Sequence, residues 1–259
     1  MRNILAIIER ELRAYFSSPI AYVVLTIFVF LSGFFFRLYL AQVMQMGLMS
    51  QMQAQQFGPR PIDMPGMISR GFLSTLSVIL LFIMPMLTMG LFSEEKKRGT
   101  IELLLTAPLT DAQVVLGKFL AAGSFFIILL VSTWVPMAAL YLYGSPASGP
   151  ILTAYLGLLL YGLAIVAVGL FISTLTENQI IAAVLSFGMI MVLWLVDAMA
   201  NYAESPISKG VLSYLSILSH LDDFMKGVLS TSNIIFYISL MLVGLFLTYR
   251  SIDSLRWRG

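Results

Sequence analysis

Residues 151–174 have the sequence ILTAYLGLLLYGLAIVAVGLFIST, an apolar stretch without a charged side chain. A helix of that length crosses about 30 Å of hydrocarbon at about 1.5 Å per residue, so the stretch predicts a membrane-spanning helix. Similar blocks recur along the chain, in which 59% of the 259 residues are hydrophobic and only 11% are charged. A soluble domain usually carries about 25% charged residues. The sequence therefore predicts an all-α polytopic membrane protein.

Six spans are predicted within one membrane domain covering residues 1–259. They comprise approximately residues 20–40, 72–92, 113–143, 151–174, 179–200 and 233–250. The external connections 41–70 and 201–232 are the long ones, and the second has apolar residues at helical spacing, which predicts short helices at the outer leaflet. Pro85 and Pro136 lie inside spans two and three, where proline is expected to kink the helix.

An amphipathic helix is predicted before span one, over residues 2–16. Its apolar face comprises Ile4, Leu5, Ile8, Leu12, Tyr15 and Phe16. We expect this elbow helix to lie in the membrane interface, with its apolar face towards lipid and Arg10 and Arg13 towards the headgroups. The alternative is an ordinary cytosolic helix packed on another surface.

The distribution of lysine and arginine predicts the orientation of the spans. With the N-terminus inside, only Arg37, Arg60, Arg70, Lys209 and Lys226 of the 15 basic residues lie outside. Because basic residues concentrate in cytoplasmic connections, both termini are predicted to be cytoplasmic.

The most strongly charged cluster lies between spans two and three, in residues 93–110, SEEKKRGTIELLLTAPLT. Gly99 is expected to break the helix that leaves span two. Thr100 can then cap a short helix whose first turn contains Glu102, which the helix dipole favours. Its apolar stripe is predicted to comprise Ile101, Leu104 and Leu105, and Pro108 is expected to end the helix.

A capping box of Thr110 and Gln113 is predicted to start span three directly after this segment. The product is a short amphipathic helix flanked by charge on the cytoplasmic side. An apolar stripe with charged flanks suits the groove of a soluble partner. A solvated loop whose charges only set the orientation is the alternative.

The same segment resembles the signature of type-2 ABC permeases, exporter-type membrane subunits with six spans. The matching residues are Glu95, Gly99, Thr100, Glu102, Leu104 and Pro108, and the downstream Gly117 and Lys118 fit the Gly-Lys pair of that family. The resemblance covers the full length, including the elbow helix and a short external turn at residues 144–150. Residues 218–228 also resemble the region before the last span. Among subgroups, the chain is most similar to permeases associated with gliding motility and with nitrous-oxide-reductase maturation.

The resemblance implies a permease subunit of a bacterial inner-membrane complex, which couples ATP hydrolysis to movement of a substrate. Its partners would be two cytosolic ABC ATPase subunits, a second identical or different permease subunit, surrounding lipid and, in some complexes, a periplasmic accessory protein. The elbow helix, with Arg10 and Arg13, would act as a second lever. The implied ATPase-coupling residues are Glu94, Glu95, Arg98, Gly99, Thr100, Glu102, Leu104, Leu105 and Pro108.

Hydrolysis of ATP is expected on the partner chain, which would also bind Mg, because this sequence has no G-x-x-x-x-G-K-[ST] loop. No cofactor, catalytic residue or metal site is assigned to the chain itself. The net charge of +2 gives no indication of a nucleic-acid partner. An intramembrane enzyme is disfavoured because no G-x-S-x-G motif occurs, and His220 is interpreted as an interfacial surface histidine.

Three other functions are alternatives to the permease interpretation. An ion-coupled secondary transporter usually has ionisable residues deep within its spans, whereas Arg37, Lys118 and Asp197 lie near span ends. A membrane scaffold driven by an ATPase for mechanical signalling would need the same coupling helix and stays the main alternative. Copper(I) binding by the methionines of residues 44–67 is less favoured than a partly apolar helix extension, because glutamines alternate with them.

Overall fold

The structure is a computed structural model that describes residues 2–57, 63–101, 109–202 and 205–256. Helices dominate these residues, and no strand occurs among them. They are α1 (Arg2–Ser17), α2 (Pro19–Phe57), α3 (Met64–Thr88), α4 (Ser93–Lys97), α5 (Asp111–Ser132), α6 (Trp134–Tyr143), α7 (Ser148–Ser173), α8 (Gln179–Asn201), α9 (Pro206–Leu215), α10 (Ile217–Met225) and α11 (Thr231–Arg256).

Six segments are long and apolar enough to cross a membrane. They are Pro19–Ser50, Met64–Lys97, Asp111–Tyr143, Ser148–Ser173, Gln179–Ala200 and Thr231–Ser254. Each overlaps one predicted span, so the prediction of an all-helical chain with six spans is confirmed. The short helices expected before the last span are present as α9 and α10.

The first external connection is shorter than predicted. Helix α2 continues through 39 residues to Phe57, about 58 Å at 1.5 Å per residue, and α3 begins at Met64 instead of near residue 72. Residues 41–57 contain no proline and are rich in Gln and Met, which favour helix, so nothing stops α2 at the end of the apolar block. Gly47 of this extension lies against the side chain of Met64.

The third span is divided into α5 and α6 at Thr133. Pro136 has no backbone N–H and cannot continue the preceding helix, which explains a break three residues before it. The Thr133 hydroxyl donates to the Leu130 carbonyl at 2.6 Å and lies 2.9 Å from the Tyr155 hydroxyl. At the other end of α5, the predicted capping box of Thr110 and Gln113 is present.

Helix α7 lies at the centre of the bundle and packs against α3, α5, α8, α10 and α11. Gly162 lets the Phe126 ring approach the α7 backbone so closely that a Cβ there would lie 2.1 Å from it. Small residues at such contacts allow membrane helices to pack closely. Next to this contact, the buried Tyr161 hydroxyl donates to the Ser77 carbonyl at 3.1 Å. These contacts join the middle of α7 to α3 and α5.

Candidate functional site

The segment after span two ends at a glycine with a left-handed backbone. Gly99 has φ +67°, a conformation that side chains with a Cβ rarely adopt. The Gly99 N–H donates to the Lys96 carbonyl at 3.1 Å, and the Thr100 N–H donates to the Glu95 carbonyl at 3.0 Å. This is the hydrogen-bond pattern of a helix that ends at a glycine. The predicted break at Gly99 is therefore confirmed.

Only part of the predicted coupling segment can be located. The Thr100 hydroxyl donates to the Glu95 carbonyl at 3.3 Å, so it contacts the preceding helix. Glu102, Leu104, Leu105 and Pro108 lie outside the described residues. The short helix predicted over them stays a prediction.

Four charged side chains from three helices meet beside Gly99, and we call them the charge cluster: Arg10 and Glu11 of α1, Glu95 of α4 and Lys118 of α5. The Lys118 Nζ atom lies 3.0 Å from Glu11 Oε1 and 3.0 Å from Glu95 Oε1. Arg10 Nη2 lies 2.8 Å from Glu11 Oε1 and 3.0 Å from Glu95 Oε1. Two cations and two carboxylates thus join the elbow helix to both ends of the connection between spans two and three.

Burial makes Lys118 the centre of the charge cluster. Its side chain is 1% exposed, whereas those of Glu11 and Glu95 are 13% and 18% exposed and that of Arg10 is 55% exposed. A buried ammonium group needs charged or polar partners, which the two carboxylates supply. The Phe92 ring adds a cation–π contact, with its centroid 5.1 Å from Nζ. Glu95 Oε2 is buried and has no hydrogen-bond partner within the described ranges.

The charge cluster also controls the ionisation of Glu11. Burial alone would favour the protonated acid, but Lys118 and Arg10 outweigh it and lower the pKa of Glu11 below its ordinary value. Glu11 is therefore a carboxylate at neutral pH. One helical turn further, burial raises the pKa of the Tyr15 hydroxyl, which donates to the Leu87 carbonyl at 3.2 Å. Helix α1 is thus held to the end of α3 as well.

The packing of α1 differs from the arrangement expected for its apolar face. Ile7 is buried against Gly117, and the Tyr15 ring lies 5.4 Å from that of Phe125, so this face of the helix contacts α5. Leu5 and Phe16 of the predicted apolar face are exposed. The contact between α1 and α5 is electrostatic as well as apolar, because Glu11 of α1 pairs with Lys118 of α5. The position of α1 in the membrane interface stays a prediction.

The other predicted charged residues in the described part of the chain lie outside the charge cluster. Arg98, directly after α4, pairs with Glu94 of α4, and Arg13 pairs with Glu9 within α1 at 2.6 Å; both pairs are exposed. Lys96, in contrast, donates to the Thr174 carbonyl at the end of α7. The Thr174 hydroxyl then donates to Ser251 Oγ of α11 at 2.8 Å. Helix α4 therefore contacts two separate parts of the bundle.

Glu11 and Thr174 were missed by the sequence analysis. Glu11 follows Ile8 by three residues and precedes Tyr15 by four, so helical spacing places it on the packed face of α1. A carboxylate on an apolar face is a signal for a buried cation nearby. Thr174 acts through its backbone carbonyl, for which the sequence carries no such signal.

A groove of about 870 Å³ runs beside the charge cluster. It is bounded by α1, α4 and the start of α8, and Leu109 and Gln179 are among its lining residues. In the part of the chain for which positions are described, no three His, Asp or Glu side chains are arranged to hold a metal ion. The lining residues of the groove supply charged and hydrogen-bonding side chains, among them Arg10, Glu95 and Gln179.

The sequence is similar to proteins of one family. The profile of the ABC-2 family transporter protein matches residues 5–252. The probable multidrug ABC transporter permease YbhR of Escherichia coli (strain K12) is 28% identical over 137 residues, 52% of this chain and 37% of that protein. The probable multidrug ABC transporter permease YbhS of the same strain is 30% identical over 121 residues, 46% of this chain and 32% of that protein. The matches thus span about a third of the length of these curated relatives.

Proposed function

Because the chain belongs to the ABC-2 family of transporter proteins, we propose that it is the membrane subunit through which a separate ATPase drives export of a substrate. The family and the six spans make it a multi-pass ABC transporter permease. In this complex two cytosolic ATPase subunits would bind the segment 93–108, and a second permease subunit would complete the pathway. ATP and Mg would bind to the ATPase, and this chain would have no catalytic residue of its own.

The charge cluster is the observation that carries the proposal. A force applied to the connection between spans two and three reaches α4 and the start of α5, which the Lys118–Glu95 ion pair holds together. The Lys118–Glu11 and Arg10–Glu11 pairs connect α1 to the same point. Ion pairs on a buried lysine resist separation because each partner would lose its compensation. The segment can therefore displace span two, span three and the elbow helix as one body.

The orientation follows from the same assignment. An ATPase in the cytosol requires the charge cluster, residues 98–110 and both termini on the cytoplasmic side, which agrees with the distribution of basic residues. The membrane would be the bacterial inner membrane. An apolar or lipid-linked cargo is proposed because the spans have little polarity and because the relatives are named as probable multidrug permeases.

Reconstitution with the co-purifying ATPase tests the coupling. We expect Glu102→Ala combined with Leu104→Ala to leave membrane insertion intact and to abolish stimulation of ATP hydrolysis by the permease. The matched control combines Asp222→Ala with Leu229→Ala, an exposed acidic and an exposed apolar residue beyond the other end of the spans. Equal stimulation in the two double variants would contradict the coupling role of residues 93–108.

A pull-down of the tagged chain distinguishes the broader alternatives. A stoichiometric ATPase that is lost when residues 99–108 are scrambled supports an ATP-driven complex. If such a complex hydrolyses ATP in nanodiscs but moves no apolar probe between leaflets, a mechanical signalling scaffold becomes the better description. A stable chain without an ATPase partner would contradict both.

A further inference from the structure

His220 was interpreted from the sequence as a surface histidine, and the structure contradicts this. It lies in α10, is 7% exposed, and has a hydrogen-bond partner at each ring nitrogen. Nδ1 lies 2.7 Å from Oδ1 of Asn233, and Nε2 lies 3.0 Å from the backbone carbonyl of Tyr214. Sequence spacing carries no signal for this contact, because Asn233 belongs to the following helix, α11.

The partners of His220 determine how many protons the ring carries. A backbone carbonyl only accepts hydrogen bonds, so Nε2 must carry a hydrogen. The Asn233 amide donates from Nδ2 to Asp223 Oδ2 at 2.9 Å, which turns its oxygen towards His220. Because an amide oxygen also only accepts, Nδ1 must carry a hydrogen as well. A ring with two N–H groups is the imidazolium cation.

Rotation of the Asn233 amide would move the extra proton from His220 to Asp223 but would not remove it. Turning it by half a circle would set its oxygen against the Asp223 carboxylate, and two acceptors at hydrogen-bond distance repel each other unless the carboxyl group is protonated. In either orientation the three side chains hold one proton more than a neutral histidine and an ionised aspartate. We propose that His220, Asn233 and Asp223 form a proton-binding site, in which His220 is the imidazolium and Asp223 is its counter-charge through Asn233.

The surroundings of the ring suit a buried cation. The Phe236 ring stacks on His220 with centroids 4.0 Å apart and 22° between the planes, an arrangement that places a π face against the positive charge. Asn233 is only 5% exposed, so the amide is largely shielded from bulk water. Buried charge requires such compensation, and Asp223 supplies it.

Other titratable groups near the site have different partners. Asp222 pairs with Lys226, the positive charge of Arg70 of α3 acts on Lys226, and Asp197 of α8 accepts from Ser216. The Tyr214 and Tyr237 rings stand edge-on to the His220 ring, and Tyr161 of α7 faces Tyr237. Within the described residues, Asp223 is the carboxylate that reaches His220 through hydrogen bonds. Loss of the proton would leave His220 Nδ1 and Asn233 Oδ1 as two hydrogen-bond acceptors facing each other. The contact between α10 and α11 would then weaken.

The test uses the fact that the chain has one histidine. The full chain, with histidine labelled by nitrogen-15 and an affinity tag free of histidine, is placed in lipid nanodiscs for magnetic resonance. At about pH 7.5 an ordinary histidine, with a pKa near 6.5, is mostly neutral. We expect both His220 ring nitrogens to show the chemical shifts of N–H groups. A neutral ring in the native chain at that pH overturns the proposal.

Two variants identify the counter-charge. In Asp223→Asn the Asn233 amide can rotate and donate to a neutral ring, so the ratio of charged to neutral His220 should fall about tenfold or more, as expected on removal of a nearby opposite charge. Asp222→Asn removes the same charge from the neighbouring residue, which pairs with Lys226, and should leave the ring charged. Equal effects of the two variants would contradict the specific role of Asp223.

Discussion

Replacing Lys118 by Met tests whether the charge cluster holds three helices together. Methionine keeps most of the side-chain volume and removes the ammonium group, which lies 3.0 Å from Glu11 and 3.0 Å from Glu95. Removing one partner of a buried ion pair costs about 3–5 kcal/mol when the other charge is left uncompensated. Here Arg10 still contacts both carboxylates, and each retains some exposure to solvent. We therefore expect a loss of about 2 kcal/mol in the free energy of unfolding.

Thermal unfolding of the purified chain, followed by circular dichroism at a fixed scan rate, measures this effect. For a chain of this size, 1 kcal/mol corresponds to about 2–4 °C, so Lys118→Met should lower the Tm by about 4–8 °C. Arg98→Gln is the control, because it also removes one cation near Gly99 but from a pair whose side chains are 69% and 42% exposed. Such a surface pair contributes about 0.3–0.5 kcal/mol, or roughly 1 °C.

Adding Glu11→Gln to Lys118→Met separates electrostatics from packing. If the cost of the single variant is an uncompensated carboxylate, the double variant should be less destabilised than the sum of the two, by about 0.5–3 kcal/mol of interaction energy. Strict additivity, or equal Tm values for Lys118→Met and Arg98→Gln, would refute the reasoning.

Three further measurements address the fold and its pH dependence. Gly162→Ala should lower the Tm by the equivalent of about 1–3 kcal/mol, because its Cβ would lie 2.1 Å from the Phe126 ring. In the control Gly188→Ala, in α8, the Cβ would have nothing within 4 Å, so the Tm should stay equal or rise. Tyr161→Phe should cost about 1 kcal/mol through loss of the bond to the Ser77 carbonyl, and the 92% exposed Tyr143 should tolerate the same change. The pKa of Glu11 is lowered on folding, so its stabilising contribution is complete above its ordinary pKa of 4.5 and is lost as the pH falls below that value. Glu11→Gln should therefore flatten the fall in Tm on acidification. An unchanged profile of Tm against pH would show that other groups cause this fall.

Local features of the chain were predicted correctly because their physical causes are local. Six apolar blocks specified six spans, since length and hydropathy determine whether a segment can cross the membrane. Gly99 and the capping box of Thr110 were recognised because a left-handed turn and an N-terminal cap depend on a few neighbouring residues. The end of α2 was predicted too early, because the loss of hydropathy after residue 40 marks where the apolar block ends but does not break the helix.

The sequence by itself thus determined the fold class, the number of spans and the segment proposed to couple them to an ATPase. Only the tertiary structure decided which charges meet. Glu11 and Lys118 are separated by 107 positions, and nothing in the spacing of either one specifies the other. The sequence likewise predicts His220 at the surface, whereas in the structure Asn233 of α11 lies against its ring. A buried charge is stable only beside its partner, and the packing of helices distant in sequence determines which partner that is.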